Sequence, residues 1–151
     1  MFGVKPKIIT EAVAQGNLVE GLPLPIKTDL IIKLVPEALT ITGLNQEFEI
    51  SFEKLILVDS KSEQEMEKIV QQSAPGMVIG ALTFGVLGAM VGGRVKTKNK
   101  RVVRHFLIIS YQSDDLKTIV IETTKDWYNG AAMVDFYRSL AEPKEVKKIS
   151  L

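Results

Sequence analysis

The stretch Glu47–Phe52, which reads Glu-Phe-Glu-Ile-Ser-Phe, alternates between polar and apolar residues without a break. Successive side chains of a β-strand point to opposite faces, so the pattern predicts a strand with Phe48, Ile50 and Phe52 on one face. The opposite face carries two glutamates and a serine. One apolar face and one acidic face are typical of a half-buried strand in an antiparallel sheet.

Other β-rich runs lie on both sides of this strand. Short runs of branched and aromatic residues between turn residues are typical of strands. They predict five more strands, at Asp29–Val35, Ala38–Thr42, Leu55–Val58, Val102–Tyr111 and Leu116–Thr123. Because only a short polar turn separates the last two, we expect them to form a hairpin.

A first helix is predicted after these early strands. The sequence Ser62-Glu63-Gln64-Glu65 matches a capping box, in which the side chains of Ser62 and Glu65 satisfy free amide groups at a helix start. Pro75 is expected to end or kink this helix.

A second helix is predicted near the end of the chain, from about Asp126 or Asn129 to Glu142. Its apolar stripe consists of Trp127, Ala131, Val134, Tyr137, Leu140 and Ala141. We expect Trp127 and Tyr128 to anchor the helix on the sheet. Several strands followed by a terminal helix predict an α+β fold.

Composition sets the broad class of the protein. The chain has 151 residues, 46% apolar and 25% charged, which predicts one folded domain with an ordinary core. The formal net charge is +1, so no general attraction to nucleic acid is expected. Because the chain has no cysteine, disulfides, thiolate catalysis and cysteine-based zinc sites are excluded. The N-terminus has no signal-peptide pattern, which favours a cytoplasmic protein.

The middle of the chain contains an uncharged, glycine-rich segment. No charged residue occurs from Ile69 to Gly93. Its glycines include Gly76, Gly80, Gly85, Gly88 and Gly92. Three interpretations fit this pattern: a transmembrane span, a glycine-zipper element that touches a membrane or another subunit, and a closely packed internal element. The strictly apolar centre, Met77–Val91, is shorter than the roughly 20 residues of a span, and spanning would separate the predicted strands.

A run of positive charge follows the glycine-rich segment at once. It contains Arg94, Lys96, Lys98, Lys100, Arg101 and Arg104 and no acidic residue. Each such charge contributes about 1 kcal/mol near an anionic membrane, so the run predicts a membrane contact. Nucleic acid is a less suitable partner, because no aromatic residues alternate with the charges. The run is also explained by an exposed sheet edge whose lysines prevent pairing with another strand.

No catalytic, cofactor or metal site is expected. His105 is the only histidine, and no sequence neighbour acts as its orienting partner. Gly92-Gly93-Arg94 lacks the Gly-Lys-Ser/Thr ending of a phosphate-binding loop. No small-molecule substrate is evident either, so the chain is expected to be a binding module and not an enzyme.

The order of elements resembles that of small bacterial pleckstrin-homology-like domains of the GRAM-like type. The resemblance covers about residues 21–142. It rests on the alternating strand with its continuation, on the basic-to-apolar strand, on its hairpin partner and on the terminal helix. The quoted residues are 47–59, 98–111 and 118–122.

This resemblance implies a bent antiparallel sheet or barrel with the C-terminal helix closing one end. It also implies a module that binds membranes or proteins. Such a barrel has seven strands, and the seventh would come from the N-terminal residues. The glycine-rich segment would be a helical or glycine-rich insertion, about residues 62–93, between the fourth predicted strand and the last hairpin.

The predicted organisation is therefore an N-terminal arm at 1–28, one PH-like domain at 29–142 and a basic tail at 143–151. The arm is expected to hold a helical turn at Glu11–Gln15 and a short strand near Asn17–Glu20. The expected function is peripheral association with an anionic membrane surface, on its inner face, or with a second copy of the chain. The alternative is a protein-interaction scaffold that oligomerises without a membrane.

Overall fold

Seven strands form one antiparallel sheet in the computed structural model, which describes residues 10–71, 78–79, 82–83, 103–141 and 150. The strands are β1 (Ala12–Glu20), β2 (Asp29–Leu34), β3 (Ala38–Gly43), β4 (Gln46–Ser51), β5 (Leu55–Ser62), β8 (His105–Gln112) and β9 (Leu116–Glu122). Between β5 and β8 lie helix α1 (Glu63–Gln71) and a two-stranded pair, β6 (Val78–Ile79) and β7 (Leu82–Thr83). Helix α2 (Trp127–Ala141) follows β9. The order across the sheet is β4-β3-β2-β1-β9-β8-β5.

The observed architecture confirms the α+β prediction and most predicted strands. In β4 the glutamates are exposed, Ile50 is buried and Phe48 packs against the core, as the alternation of Glu47–Phe52 predicts. The last hairpin forms where predicted, with Gln112 paired to Leu116. Strand β5 is longer than predicted and continues to Ser62.

The prediction of an N-terminal arm at residues 1–28 needs correction, because β1 lies in the middle of the sheet. Strand β1 pairs with β2 from Ala12 to Asn17 and with β9 from Asn17 to Glu20. The residues expected to form a helical turn, Glu11–Gln15, are extended instead: Glu11 precedes β1, and the other four begin it. The sheet therefore begins at Ala12, and β1 supplies the seventh strand.

Gly16 explains why β1 was hard to recognise in the sequence. Glycine interrupts a strand pattern, but at this position a side chain would not fit. A Cβ at Gly16 would lie 2.5 Å from the Glu122 carbonyl oxygen and 2.6 Å from Ile121 Cγ2. The glycine thus permits the close approach of β1 to β9.

One hydrophobic core is shared by all seven strands and α2. Both edge strands contribute to it, through Ile50 of β4 and Leu55 of β5. The sheet must therefore curve so that its two edges face the same interior. Helix α2 covers this interior with Met133, Val134 and Tyr137, and the Tyr137 ring lies 5.7 Å from that of Phe52.

A second, smaller core lies on the outer face of β8 and β9. Phe106, Ile108 and Val120 are fully buried there and pack with Met66 of α1. Strand β8 is consequently buried on both faces, like a central strand of a layered protein. The amide of Glu63 also donates to the Arg104 carbonyl oxygen at 2.8 Å, which holds the start of α1 against the strand.

The predicted capping box at the start of α1 is confirmed. The Ser62 amide donates to Glu65 Oε1 at 2.9 Å, and the Glu65 amide donates to Ser62 Oγ at 3.3 Å. The backbone hydrogen bond from Ser62 is the main cause that lowers the pKa of Glu65. Because the carboxylate is the hydrogen-bonded form, the cap stabilises the helix at neutral pH.

The apolar stripe predicted for α2 is confirmed only in part. Val134 and Tyr137 are buried, but the core-facing side also uses Gly130 and Met133. The expected anchors do not enter the core: Trp127 is 49% exposed and Tyr128 is 72% exposed. The face of α2 that packs on the sheet therefore differs from the predicted stripe, because it includes Gly130 and Met133 and leaves out Trp127.

The glycine-rich segment is only slightly represented in the described residues. Gly76, Gly80, Gly85, Gly88 and Gly92 lie outside them, so the interpretations of this segment stay predictions. Among the helices that the structure describes, none combines the length and the apolar character needed to cross a membrane.

Substituting Ser62→Ala is expected to lower the free energy of unfolding by about 1 kcal/mol, because the N-cap acceptor is lost while Met66 couples α1 to the core. Urea unfolding measures the change. Gln64→Ala, at an exposed position of the same helix, is the control and should have little effect. Equal values for both variants would contradict the structural role of the cap.

Candidate functional site

Arg104, one of six basic residues predicted to contact a membrane, is engaged within the domain. Its Nη2 atom lies 2.7 Å from Glu122 Oε1, and its guanidinium carbon lies 5.1 Å from the centre of the Phe106 ring. The ion pair connects the approach to β8 with the end of β9. Arg94, Lys96, Lys98, Lys100 and Arg101 lie outside the described residues.

Glu122 is the acidic partner in this arrangement. Its partial burial raises the pKa, but hydrogen bonds from Arg104 and Thr124 and the charge of Arg104 outweigh that effect. The pKa of Glu122 therefore lies below its ordinary value of 4.5. The Arg104–Glu122 pair accordingly contributes to stability at neutral pH.

His105 stacks on Trp127 at one side of the molecule, with ring centres 5.3 Å apart and planes at 21°. A shallow pocket of about 390 Å³ beside this pair also contains Asp59, Lys61 and Arg138. Asp59 forms ion pairs with Lys61 at 3.4 Å and with Arg138 at 3.3 Å. The charge of Asp59 is thus compensated.

This pocket does not form a catalytic arrangement in the part of the chain that the structure describes. Within that part, the His105 ring makes no hydrogen bond to a carboxylate, so it lacks the orienting partner of a general base. No group of three or more histidine, aspartate or glutamate side chains there is placed to hold a metal ion.

The edge of β5 beside this pocket is protected by its own carboxylates. The Ser60 amide donates to Asp59 Oδ1 at 2.8 Å, and the Ser62 amide donates to Glu65 Oε1 at 2.9 Å. An added strand would need these amides as donors. Capped amides and surrounding charges are devices that prevent such pairing, so this edge is a poor binding site.

A more promising surface is an open cleft of about 890 Å³ on the outer face of β1, β2 and β3. We call it the β1–β3 cleft. Three large apolar side chains line it and are exposed: Val13 at 43%, Ile31 at 50% and Leu44 at 60%. Its other wall is formed by the residues that begin α2, among them Lys125, Asp126 and Asn129.

Leu44 occupies an unfavourable place in the turn between β3 and β4. Leu44 and Asn45 both have positive φ, at 48° and 62°, and connect the paired residues Gly43 and Gln46. Such a two-residue turn favours glycine, asparagine or aspartate. The left-handed conformation costs leucine roughly 1–2 kcal/mol, and the side chain gains little burial in return. An exposed residue that is held in an unfavourable backbone conformation beside a cleft is a candidate binding residue.

The polar lining of the β1–β3 cleft is negatively charged. Asp29 accepts a hydrogen bond from Asn17 Nδ2 at 2.6 Å. Asp126 accepts hydrogen bonds from the backbone amide of Gln15 at 2.8 Å and from Asn129 Nδ2 at 2.7 Å. Among the described residues, neither carboxylate has a basic group within 4.0 Å.

These hydrogen bonds fix the two carboxylates in place and leave their charges uncompensated. Glu122 also lines the cleft but is paired with Arg104, and Lys125 is the lining cation. Lys33, the next outward residue of β2, is held by Glu11 at 3.2 Å. The arrangement can attract a cation and contact an apolar group, and none of its side chains is placed as a nucleophile.

This site is not visible in the sequence because its residues come from three separate parts of the chain. One signal was available: Ile31 is an apolar residue between Asp29 and Lys33, at a solvent-facing position of an alternating strand. The pairing of β1 with β2, which brings Gln15 opposite Ile31, was not visible.

Replacing Glu122 by glutamine is expected to destabilise the fold by about 1–2 kcal/mol at pH 7, because a charged hydrogen bond to Arg104 is lost. Since the folded-state pKa is lowered, this stability is present above pH 4.5 and is lost as the pH falls through the lowered pKa. Urea unfolding from pH 7 to pH 3 should show the two proteins converging. Glu49→Gln, on the exposed face of β4, is the control and should show no such convergence. A Glu122→Gln deficit that is independent of pH would contradict the assignment.

Comparison with known proteins provides no relative from which a function could be transferred. No protein-family model matches the chain, and no curated protein matches it.

Proposed function

We propose that this chain is a non-enzymatic binding module of the pleckstrin-homology-like, GRAM-like type. The proposal is supported by the strand order β4-β3-β2-β1-β9-β8-β5, with α2 packed on the shared core. The seven strands match the number expected of such a domain, and α1 with β6 and β7 would belong to an insertion between β5 and β8.

The main support for a binding role is that the interior of the curved sheet is filled. Buried apolar side chains from every strand of the sheet and from α2 occupy the space that the curved sheet encloses. Ligand pockets that surround a small molecule need a cavity lined by convergent polar groups. In the described residues the cavities lie on outer surfaces, so recognition would take place at the surface.

The favoured ligand is an anionic membrane surface. The proposed contact consists of the uncharged segment at 74–93 and the basic run that follows it. Since Arg104 is engaged with Glu122, the contact charges reduce to Arg94, Lys96, Lys98, Lys100 and Arg101. A protein that binds in this way would lie peripherally on the inner face of a membrane.

The second candidate is self-association through the same glycine-rich segment. It is favoured by the absence of charge from Ile69 to Gly93 and by the four-residue spacings Gly76/Gly80 and Gly88/Gly92. Small residues at such spacings let two backbones approach closely. This candidate needs no membrane.

Co-sedimentation with vesicles tests the membrane proposal. The full chain should bind vesicles of phosphatidylcholine with 30 mol% phosphatidylserine, bind neutral vesicles weakly and lose binding at high salt. Substituting Lys96, Lys98 and Lys100 by glutamine removes about 3 kcal/mol of attraction, so binding should weaken on the order of 100-fold.

A matched variant separates this contact from net charge. Lys54, Lys68 and Lys117 are exposed on other elements, and their substitution by glutamine removes the same charge. This control should bind nearly as well as the unmodified chain. Equal loss in both variants, or no binding to anionic vesicles by a folded chain, would sink the membrane proposal. Light scattering in the absence of vesicles then measures the particle mass, and a mass of more than one chain would support self-association.

A further inference from the structure

Two properties that favour the binding of a partner occur together in the β1–β3 cleft. Its exposed apolar groups, Ile31 and Leu44, are unfavourable in water, and Leu44 is also unfavourable in its backbone conformation. Its carboxylates, Asp29 and Asp126, are held by hydrogen bonds but have no basic partner within 4.0 Å in the described part of the chain.

The shape of the cleft favours a chain segment over a small molecule. Its volume of about 890 Å³ is that of a ligand pocket, but it is open along the outer face of the sheet. A small molecule would leave one side in water. An extended peptide can place alternate side chains on the cleft and leave the others in solvent.

We propose that the β1–β3 cleft binds an extended segment of a partner protein that carries both lysine or arginine and aliphatic side chains on the one face turned to the sheet, at every second residue. The cationic groups would pair with Asp29 and Asp126, and the aliphatic groups would cover Ile31 and Leu44. Charge complementarity selects this partner, because an acidic segment or an anionic lipid headgroup would be repelled by the same carboxylates. The inference rests on the proposed binding function and assigns it a second surface.

The neighbouring surfaces do not compete for this role. Around the His105–Trp127 pair, Asp59 is paired with Lys61 and Arg138, and the β5 edge has capped amides. The groove between β1 and α2 that includes Tyr128 and Phe136 carries Glu11 and Asp135, and Glu11 is already paired with Lys33. The cleft differs from that groove because, among the described residues, it presents two carboxylates without an ion pair, Asp29 and Asp126, whereas the groove presents one, Asp135.

Titration of the ¹⁵N-labelled full chain with a defined peptide tests the proposal. The probe is the end-blocked peptide Lys-Ser-Leu-Ser-Lys-Ser-Ile, whose lysines and aliphatic residues share one face of the extended chain, and its counterpart carries glutamate in place of lysine. The lysine peptide should shift the amide signals of Gln15, Ile31 and Leu44 with saturation below 1 mM. The glutamate peptide should leave them unchanged.

Substitutions in the chain identify the contacts. The double variant Asp29→Asn, Asp126→Asn removes both negative charges with little change in side-chain size and should bind at least tenfold more weakly. The matched control, Asp114→Asn with Asp115→Asn in the exposed β8–β9 turn, removes the same charge elsewhere and should bind within twofold of the unmodified chain. Equal weakening in both double variants would overturn the proposal, since only net charge would then matter.

Leu44→Asn separates binding from folding. Asparagine suits a turn with positive φ, so the melting temperature should rise while peptide binding weakens severalfold. Unchanged binding in this variant, or no shift with the lysine peptide up to 2 mM, would refute the cleft. Vesicle co-sedimentation of the unmodified chain keeps the two proposals distinct. A chain that binds anionic vesicles but not the lysine peptide refutes only the cleft, whereas a chain that binds the peptide but not the vesicles refutes only the membrane contact.

Discussion

The pairing of β1 with both β2 and β9 is the interaction on which the rest of the structure depends. It joins β2, β3 and β4 on one side to β9, β8 and β5 on the other, although these groups are far apart in the chain. The junction needs close contact, which Gly16 permits by having no side chain against the Glu122 backbone. Without β1, each part would be a small sheet with an unpaired edge and an incomplete core.

Two layers of packing follow from this junction. The joined strands curve around one interior, and α2 covers it with Met133, Val134 and Tyr137. The outer face of β8 and β9 would still expose Phe106 and Ile108, but α1 covers them with Met66. Arg104 contacts Glu122 and the Phe106 ring in the same region. A residue that looks in sequence like part of a free basic run is thus engaged in structure.

The same junction creates the surface that is most distinctive chemically. Because β1 lies between β2 and β9, the backbone amide of Gln15 meets Asp126 just before α2, and the side chain of Asn17 meets Asp29 of β2. The two carboxylates are held next to exposed apolar side chains on one face. By contrast, Asp59 beside the His105–Trp127 pair and Glu122 at the border of the cleft have basic partners. Ion-paired carboxylates stabilise the fold, whereas carboxylates without a basic partner make a surface suited to recognition.

The sequence by itself determined the elements whose signals are local. Alternation in Glu47–Phe52 predicted β4, and the residues at Ser62 and Glu65 predicted the start of α1, because strand period and capping depend on near neighbours. It predicted only the end of β1, near Asn17–Glu20, and did not determine its first half, the face of α2 that packs on the sheet, or the β1–β3 cleft. These depend on contacts between residues about a hundred positions apart, such as Gln15 with Asp126 and Gly16 with Glu122. No local pattern records such contacts, so only the tertiary structure decided which charges were paired and which apolar side chains stayed exposed.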